Sequence, residues 1–185
     1  MLIERIQQSL RENGLDGWLF FDHHRRDPLA YRVLGIPDSV GATRRWYYLI
    51  PSSGEPRKLV HRIESGALDS LPGIMGTYAS WTEQQDKLKA LLTGVGRVAM
   101  QYSPSCAIPY VSLIDGGTLE LVRASGATVV SSADLVQEFE AVWTETQLEL
   151  HIEAGRCGRH LLVHRLVAQH RDVGDGELEG GDAFL

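Results

Sequence analysis

With 185 residues, 43% hydrophobic and 23% charged, the chain has the composition of a globular protein able to bury one sizeable core. Its net charge of −6 excludes general nucleic-acid binding, which needs a basic footprint. Two cysteines, Cys106 and Cys157, cannot build a framework of disulfides and suit a reducing, cytoplasmic setting.

The charge is uneven. Residues 1–62 hold ten Lys/Arg against seven Asp/Glu, and the rest hold eight against seventeen. The mild basic bias at the front centres on Arg25, Arg26, Arg32, Arg44, Arg45, Arg57, Lys58 and Arg62. The N-terminus turns charged at Glu4 and Arg5 with no long apolar run, so neither a signal peptide nor a membrane span is expected.

Leu2, Ile3, Ile6 and Leu10 recur at helical spacing, and Asn13-Gly14 closes that helix. Trp18–Phe21 is a short apolar run suited to an interior strand covered on both faces. A polar loop follows, Asp22 to Asp27. Pro28 opens a short helix to Leu34, and Gly35 ends it.

Thr43–Ile50 reads as a strand rich in aromatic and branched residues, closed by Pro51. Arg44 and Arg45 stand at its start, a cationic fork suited to a carboxylate or similar planar group. Strand alternation lets one of the two face a given partner, and a solvated strand end is the plainer reading. A turn at 52–56 leads into a second strand, Arg57–Ile63, antiparallel to the first.

Glu64–Leu71 is a helical turn or two, and Ile74–Tyr78 a strand. Thr82 is the expected N-cap of a helix over 82–93, with Leu88, Leu91 and Leu92 on its apolar face. Arg97–Tyr102 is a strand, 107–114 and 117–125 short helices, and Ala127–Ser131 a further strand. Ser131 or Ser132 caps the next helix, with Leu135, Val136 and Phe139 inward. Thr144-Glu145-Thr146-Gln147 is a capping box opening a long helix that Gly155 or Gly158 can bend. The order specifies an α/β domain with a mixed sheet of about five to six strands and helices on both faces. The domain occupies residues 1–142, a connecting helix 143–171, and a Gly/acid-rich tail 172–185.

No Walker loop, dinucleotide fingerprint or nucleophile elbow is present. Cys157, His160 and His164, with His151 two turns back, have helical metal-ligand spacing. An exposed His-rich helix with Cys157 as a small buried residue is the plainer reading, and Gly155 and Gly158 weaken the helix that metal-site geometry needs. His23 and His24 follow the first strand, where loops of open α/β sheets line sites, so they are candidates for substrate or interface contact. Cys106 needs a paired histidine that spacing does not supply. Asp22, Asp115 and Asp134 are turn and cap residues first, and Asp22 alone does not make the carboxylate cluster of a nuclease or phosphatase.

The order of these signals resembles one family. Asn13–Asp22 is similar to the first helix-to-strand junction of the creatinase/prolidase N-terminal domain. Pro28–Gly35 is similar to its NIxYLTG segment, Arg44–Pro51 with Gly54-Glu55-Pro56 to its hairpin, and Gly96–Ser103 to a later strand. Asp134–Ala154 falls where that family has LxxLRxIKSxxEIxxxxxA. Glu140, Trp143 and Gln147 replace its Arg, Lys and Glu, which weakens any salt-bridge role for the segment.

The resemblance implies a creatinase N-terminal, ribonuclease H-like fold with a C-terminal linker helix. It also implies that the parent is a metallopeptidase of the bacterial Xaa-Pro aminopeptidase/dipeptidase type, acting on peptide bonds next to proline. In such a parent a separate catalytic domain carries two divalent ions, manganese, cobalt or zinc, which activate a bridging water. This chain carries no cofactor and no metal ligand or catalytic residue of that set, so it is expected to be inactive alone. The domain's implied role is to build a homodimer or higher homo-oligomer and to restrict a neighbour's active site to short proline-containing peptides. Arg44 is then the foremost residue for holding a substrate carboxylate in trans, with Arg45, His23 and His24 beside it. The alternative is a non-catalytic module that binds peptides or proteins.

Overall fold

The computed structural model describes the backbone of residues 2–174 and the side chains of residues 2–159. Two compact units are distinct, Met1–Ala141 and Val142–Leu185. Among the described residues no helix is long and apolar enough to cross a membrane.

The first unit is an α/β domain. Helix α1 (Leu2–Glu12) buries Ile6 and Leu10, one turn apart on the same face, and Gly14 closes it at φ 62°. Strand β1 (Gly17–Asp22) is buried along its whole length. Helix α2 (Pro28–Leu34) has Pro at its first turn, where the missing N–H costs nothing, and Gly35 in the left-handed conformation behind it. Strands β2 (Trp46–Pro51) and β3 (Arg57–His61) form the expected antiparallel hairpin. A 3-10 segment over Arg62–Leu68 leads to β4 (Ile74–Tyr78). Then come α3 (Trp81–Leu91), β5 (Arg97–Met100), α4 (Gly116–Ala124), β6 (Thr128–Ser131) and α5 (Ala133–Phe139).

The six strands form one sheet in the order β4-β3-β2-β1-β5-β6. β2 is antiparallel to both neighbours, and every other pairing is parallel. Five strands therefore run the same way and β2 alone runs against them.

Alternation along the strands sorts the core into two layers. Trp18, Phe20, Trp46, Tyr48 and Ile50 face α1, α2 and α5 through Ile6, Leu10, Leu29, Leu135 and Val136. Leu19, Phe21, Tyr47 and Leu49 face α3 and α4 through Leu88, Leu91 and Val122. Helices thus cover both faces, which explains why β1 and β2 read as continuous apolar runs.

Four local expectations differ from the structure. The strand expected from Thr43 begins at Trp46, because Glu64 captures the backbone N–H groups of Thr43 and Arg44. The helix expected over 107–114 is absent. Pro104 and Pro109 each fix φ and remove a donor, leaving two single 3-10 turns, Pro104–Cys106 and Pro109–Val111. The N-cap of α3 is Ser80, whose hydroxyl accepts Glu83 N–H, and not Thr82. Glu140 does carry a salt bridge: its Oε1 accepts from Arg32 Nε at 2.5 Å, tying α2 to the end of α5.

Ser132 stands at the N-cap of α5 without a side-chain cap bond, and Ser131 Oγ instead accepts Ala133 N–H. In the second unit, α6 (Glu145–Gly174) opens with the expected capping box. Gln147 N–H donates to Thr144 Oγ1, and Thr144 N–H donates to Gln147 Oε1. The helix is uninterrupted through Gly155 and Gly158.

Candidate functional site

The sheet has a switch point. From β1 the chain builds outward through β2, β3 and β4, then returns to the other side of β1 with β5 and β6. In open α/β sheets such a reversal leaves a crevice at the carboxyl ends of the flanking strands. A small cleft of about 80 Å³ lies there, lined by Phe21, Asp22, His23, Arg26, Asp27, Leu113, Ile114 and Asp115. Its far wall is held to the end of β5, where Gln101 O accepts from both Leu113 N–H (3.0 Å) and Ile114 N–H (3.1 Å).

The near wall is the loop that carries the two histidines. His24 and Arg25 both adopt the left-handed conformation, at φ 61° and 55°, which non-glycine residues populate only where neighbours hold them. Asp22 is one holder: its Oδ2 accepts Arg25 N–H (2.8 Å) and its Oδ1 accepts Asp27 N–H (2.9 Å). The Arg25 side chain is the other. It donates to Asp38 O, Val40 O and Asp38 Oδ1, and its guanidinium lies 4.4 Å over the Tyr31 ring. The His23 and His24 rings meet edge to face at 4.4 Å, with His23 half-buried and His24 exposed. Burial first, then the charges of His24, Arg45 and Arg26, hold the His23 imidazole below its ordinary pKa, so it favours the neutral form.

Arg45 and Arg44 diverge. The β1–β2 register pairs Asp22 with Trp46, and the β2–β3 register pairs Tyr47 with Leu59. Extending both ladders sets Arg45 level with His23 on one side and His61 on the other. Arg45 is half-buried, its Nε is enclosed with no hydrogen-bond partner, and its carbonyl accepts Tyr78 OH at 2.8 Å. Its charge is felt at His23, Tyr47, Tyr78 and Asp115. Burial raises the Asp115 carboxyl, but hydrogen bonds from Thr118 N–H and Thr118 Oγ1, with the Arg45 charge, outweigh it and keep the group below its usual pKa.

Arg44 is exposed, and of the groups that feel the Arg45 charge it acts on Tyr78. Its backbone is clasped by Glu64, which also accepts from Thr43 N–H and Thr43 Oγ1.

The structure therefore brings Arg45 and His23 together beside the switch point, leaves His24 exposed outside the cleft lining, and leaves Arg44 solvent-facing. Sequence reading passed over Asp27 and Glu64. Asp27 carried a signal, since an aspartate directly before an N1 proline is an N-cap pattern, and its Oδ1 does accept Ala30 N–H. Glu64 carried none, because its partners are twenty residues away. Cys157 and His151 are exposed, and His160 and His164 lie outside the residues whose side chains are described. Among the described residues no three His, Cys, Asp or Glu side chains converge to hold a metal. What converges is a guanidinium, an imidazole and two phenols at one end of the central strands.

Neither a family model nor a curated protein matches the chain. Solved structures do. The creatinase/prolidase N-terminal domain of an Xaa-Pro dipeptidase from Streptococcus pyogenes matches 74% of this chain over 96% of its own, at 13% identity and TM-score 0.56. A dipeptidase from Pyrococcus horikoshii matches 90% of this chain at 17% identity and TM-score 0.59. A prolidase from the same organism matches 80% at 14% identity and TM-score 0.54. The chain spans 44% of that dipeptidase and 37% of that prolidase. At these identities the likeness speaks to architecture, and on architecture it agrees with the mixed sheet and two helical layers described above: the chain has the fold of the creatinase/prolidase N-terminal domain.

Proposed function

We propose that the chain is the N-terminal accessory domain of a metal-dependent Xaa-Pro peptidase, acting in the cytoplasm to assemble the oligomer and to restrict access to a neighbouring subunit's active site. One observation supports this above the others. The chain's match runs over nearly the whole of a separately solved dipeptidase N-terminal domain, but over less than half of two longer relatives. The parent's metal pair does not fit the described residues, where no suitable ligand set converges, so no chemical step is assigned to this chain.

Its part is recognition in trans. Arg44 is exposed, and Glu64 fixes its backbone through the Arg44 N–H while the Arg44 charge also acts on the Glu64 carboxylate. That combination suits a carboxylate on a short peptide held by another subunit. The exposed His24 and the half-buried His23 and Arg45 are the further candidates for that contact.

Two measurements test the reading. The 185-residue chain, incubated with manganese and an Xaa-Pro dipeptide, should show no hydrolysis; turnover would place the catalytic machinery inside this chain. In the full-length parent, Arg44→Ala should raise KM or lower kcat/KM for the dipeptide while fold and metal content stay constant. Unchanged kinetics would remove Arg44 from substrate recognition. A parent reading frame that continues into a metal-binding domain is the expected context. Peptide binding without any such domain would favour a non-catalytic module instead.

A further inference from the structure

Asp22 and Asp27 bracket the histidine loop, and both are buried, at 1% and 4% exposure. Asp22 accepts Asp27 N–H, Arg25 N–H and the Tyr31 hydroxyl (2.9 Å). Asp27 accepts Ala30 N–H at 3.0 Å, with a smaller contribution from Leu29 N–H. All of these donors are uncharged.

No ion pair reaches either carboxyl among the described residues, and the nearby cations are engaged elsewhere or exposed. Arg25 is bound to Asp38 and Arg32 to Glu140, while Arg26 sits on the exposed wall of the cleft. Two buried carboxylates without a counter-ion do not both ionise at low cost. The two differ in support: Asp22 receives three hydrogen bonds and Asp27 one from Ala30 N–H with a smaller contribution from Leu29, so Asp27 is the carboxyl less well provided for as an anion.

We propose that Asp27, buried beside Asp22 with no counter-ion, keeps its proton up to the neutral range, and that this proton secures the β1–α2 loop, so the presentation of His23 and His24 loosens as the pH rises. Burial first, with the Asp22 charge, pushes the Asp27 carboxyl up to about 7, against the pull of the Ala30 and Leu29 N–H groups and of Arg32. In the unfolded chain the same carboxyl loses its proton near pH 4. The stability that Asp27 contributes is therefore complete below about pH 4, declines as the pH climbs toward 7, and is level above it. His23 works in the opposite sense. Its depressed pKa adds stability as the pH rises through the ordinary histidine range. The groups facing the pair are Tyr31, Arg25 and Arg32, with His23 and Arg26 on the same wall of the cleft and Asp115 across it. The comparison must therefore cancel every titration but one.

Asp27→Asn does so, since asparagine keeps an N-cap acceptor and cannot ionise. In the 185-residue chain the unfolding constant of the native protein, divided by that of the variant, should rise up to about tenfold per pH unit between about 4 and 7 and then plateau. The carbon-13 signal of the Asp27 carboxyl should titrate near neutrality. Above that point the His24 and Arg25 amides should lose protection in the native chain but not in the variant, after correction for intrinsic exchange. Parallel stability profiles, or an Asp27 carboxyl that titrates near 4, would overturn the proposal. Should Asp27→Asn not fold, the carboxyl titration of the native chain decides alone.

Discussion

Glu64 is the residue whose removal most directly tests how the start of β2 is held. It is partly exposed, and it accepts three hydrogen bonds: from Thr43 N–H at 3.0 Å, Arg44 N–H at 2.8 Å and Thr43 Oγ1 at 2.5 Å. A hydrogen bond to a charged group contributes about 1.5–3 kcal/mol when sheltered, and solvent lowers that substantially here, so the three together are assigned about 2 kcal/mol. Glu64→Ala should therefore cost about 2 kcal/mol in urea unfolding with an unchanged m-value, which lowers Tm by roughly 4–8 °C in a domain of this size. β2 itself is wholly buried and should persist, so the loss is local at first. The amides of Thr43 and Arg44 should exchange up to about thirtyfold faster, the factor equivalent to 2 kcal/mol.

The pH dependence gives an independent check. Burial raises the Glu64 carboxyl, but the hydrogen bonds from Thr43 and Arg44 and the Arg44 charge outweigh it and hold the group below its ordinary pKa. The stabilisation is thus present above the ordinary carboxylate range and disappears as the pH falls through the depressed value, so native and variant stabilities should converge in acid. A stability change under about 0.5 kcal/mol, with Thr43 and Arg44 amides equally unprotected in both proteins, would show that the clasp holds nothing.

Other perturbations read other parts of the fold. Gly73 has φ 121°, and a Cβ there would meet Pro56 O at 2.4 Å, so Gly73→Ala should destabilise by about 3 kcal/mol or more in thermal unfolding. Tyr31→Phe removes a donor to buried Asp22 and the acceptor for Trp46 Nε1, and should cost about 1–3 kcal/mol by denaturant titration. Thr144→Ala breaks the capping box of α6 at a cost of about 1 kcal/mol, visible as about fivefold faster exchange at Gln147 N–H.

Much of the architecture is legible where one residue has one physical job. Pro28 and Gly35 bound α2 at both ends, because a proline at the first turn and a left-handed glycine behind the last each solve a terminus problem locally. The run Trp18–Phe21 reads as interior because both its faces are covered. The α3 boundary was also legible. Ser80-x-x-Glu83 is a capping-box pattern, with Glu83 N–H donating to Ser80 Oγ, and the Glu83 carboxylate reaches one residue before the cap to accept Ala79 N–H. The 107–114 segment misleads because its apolar content resembles a helix face, while Pro104 and Pro109 permit only single turns.

The site itself is legible only in parts, and the reason is distance along the chain. Adjacent arginines at a strand start imply that the two diverge, since neighbouring side chains alternate. Which one joins the histidine loop depends on the registers of β2 with β1 and with β3, and these set Arg45 level with His23 and His61. Which one remains free depends on Glu64, twenty residues onward, whose carboxylate takes the Arg44 backbone N–H. The cleft beside His23 exists because β5 returns to the far side of β1, an event of strand order that no local pattern encodes. Glycines, prolines and apolar runs therefore specify the elements, whereas the pairing of those elements decides that Arg45 is half-buried at the end of the central strands and Arg44 is left exposed. If Arg44→Ala and Arg45→Ala were measured side by side, the Arg45 change should alter the His23 titration and the Arg44 change should leave it unmoved, because Arg45, and not Arg44, is among the charges acting on His23.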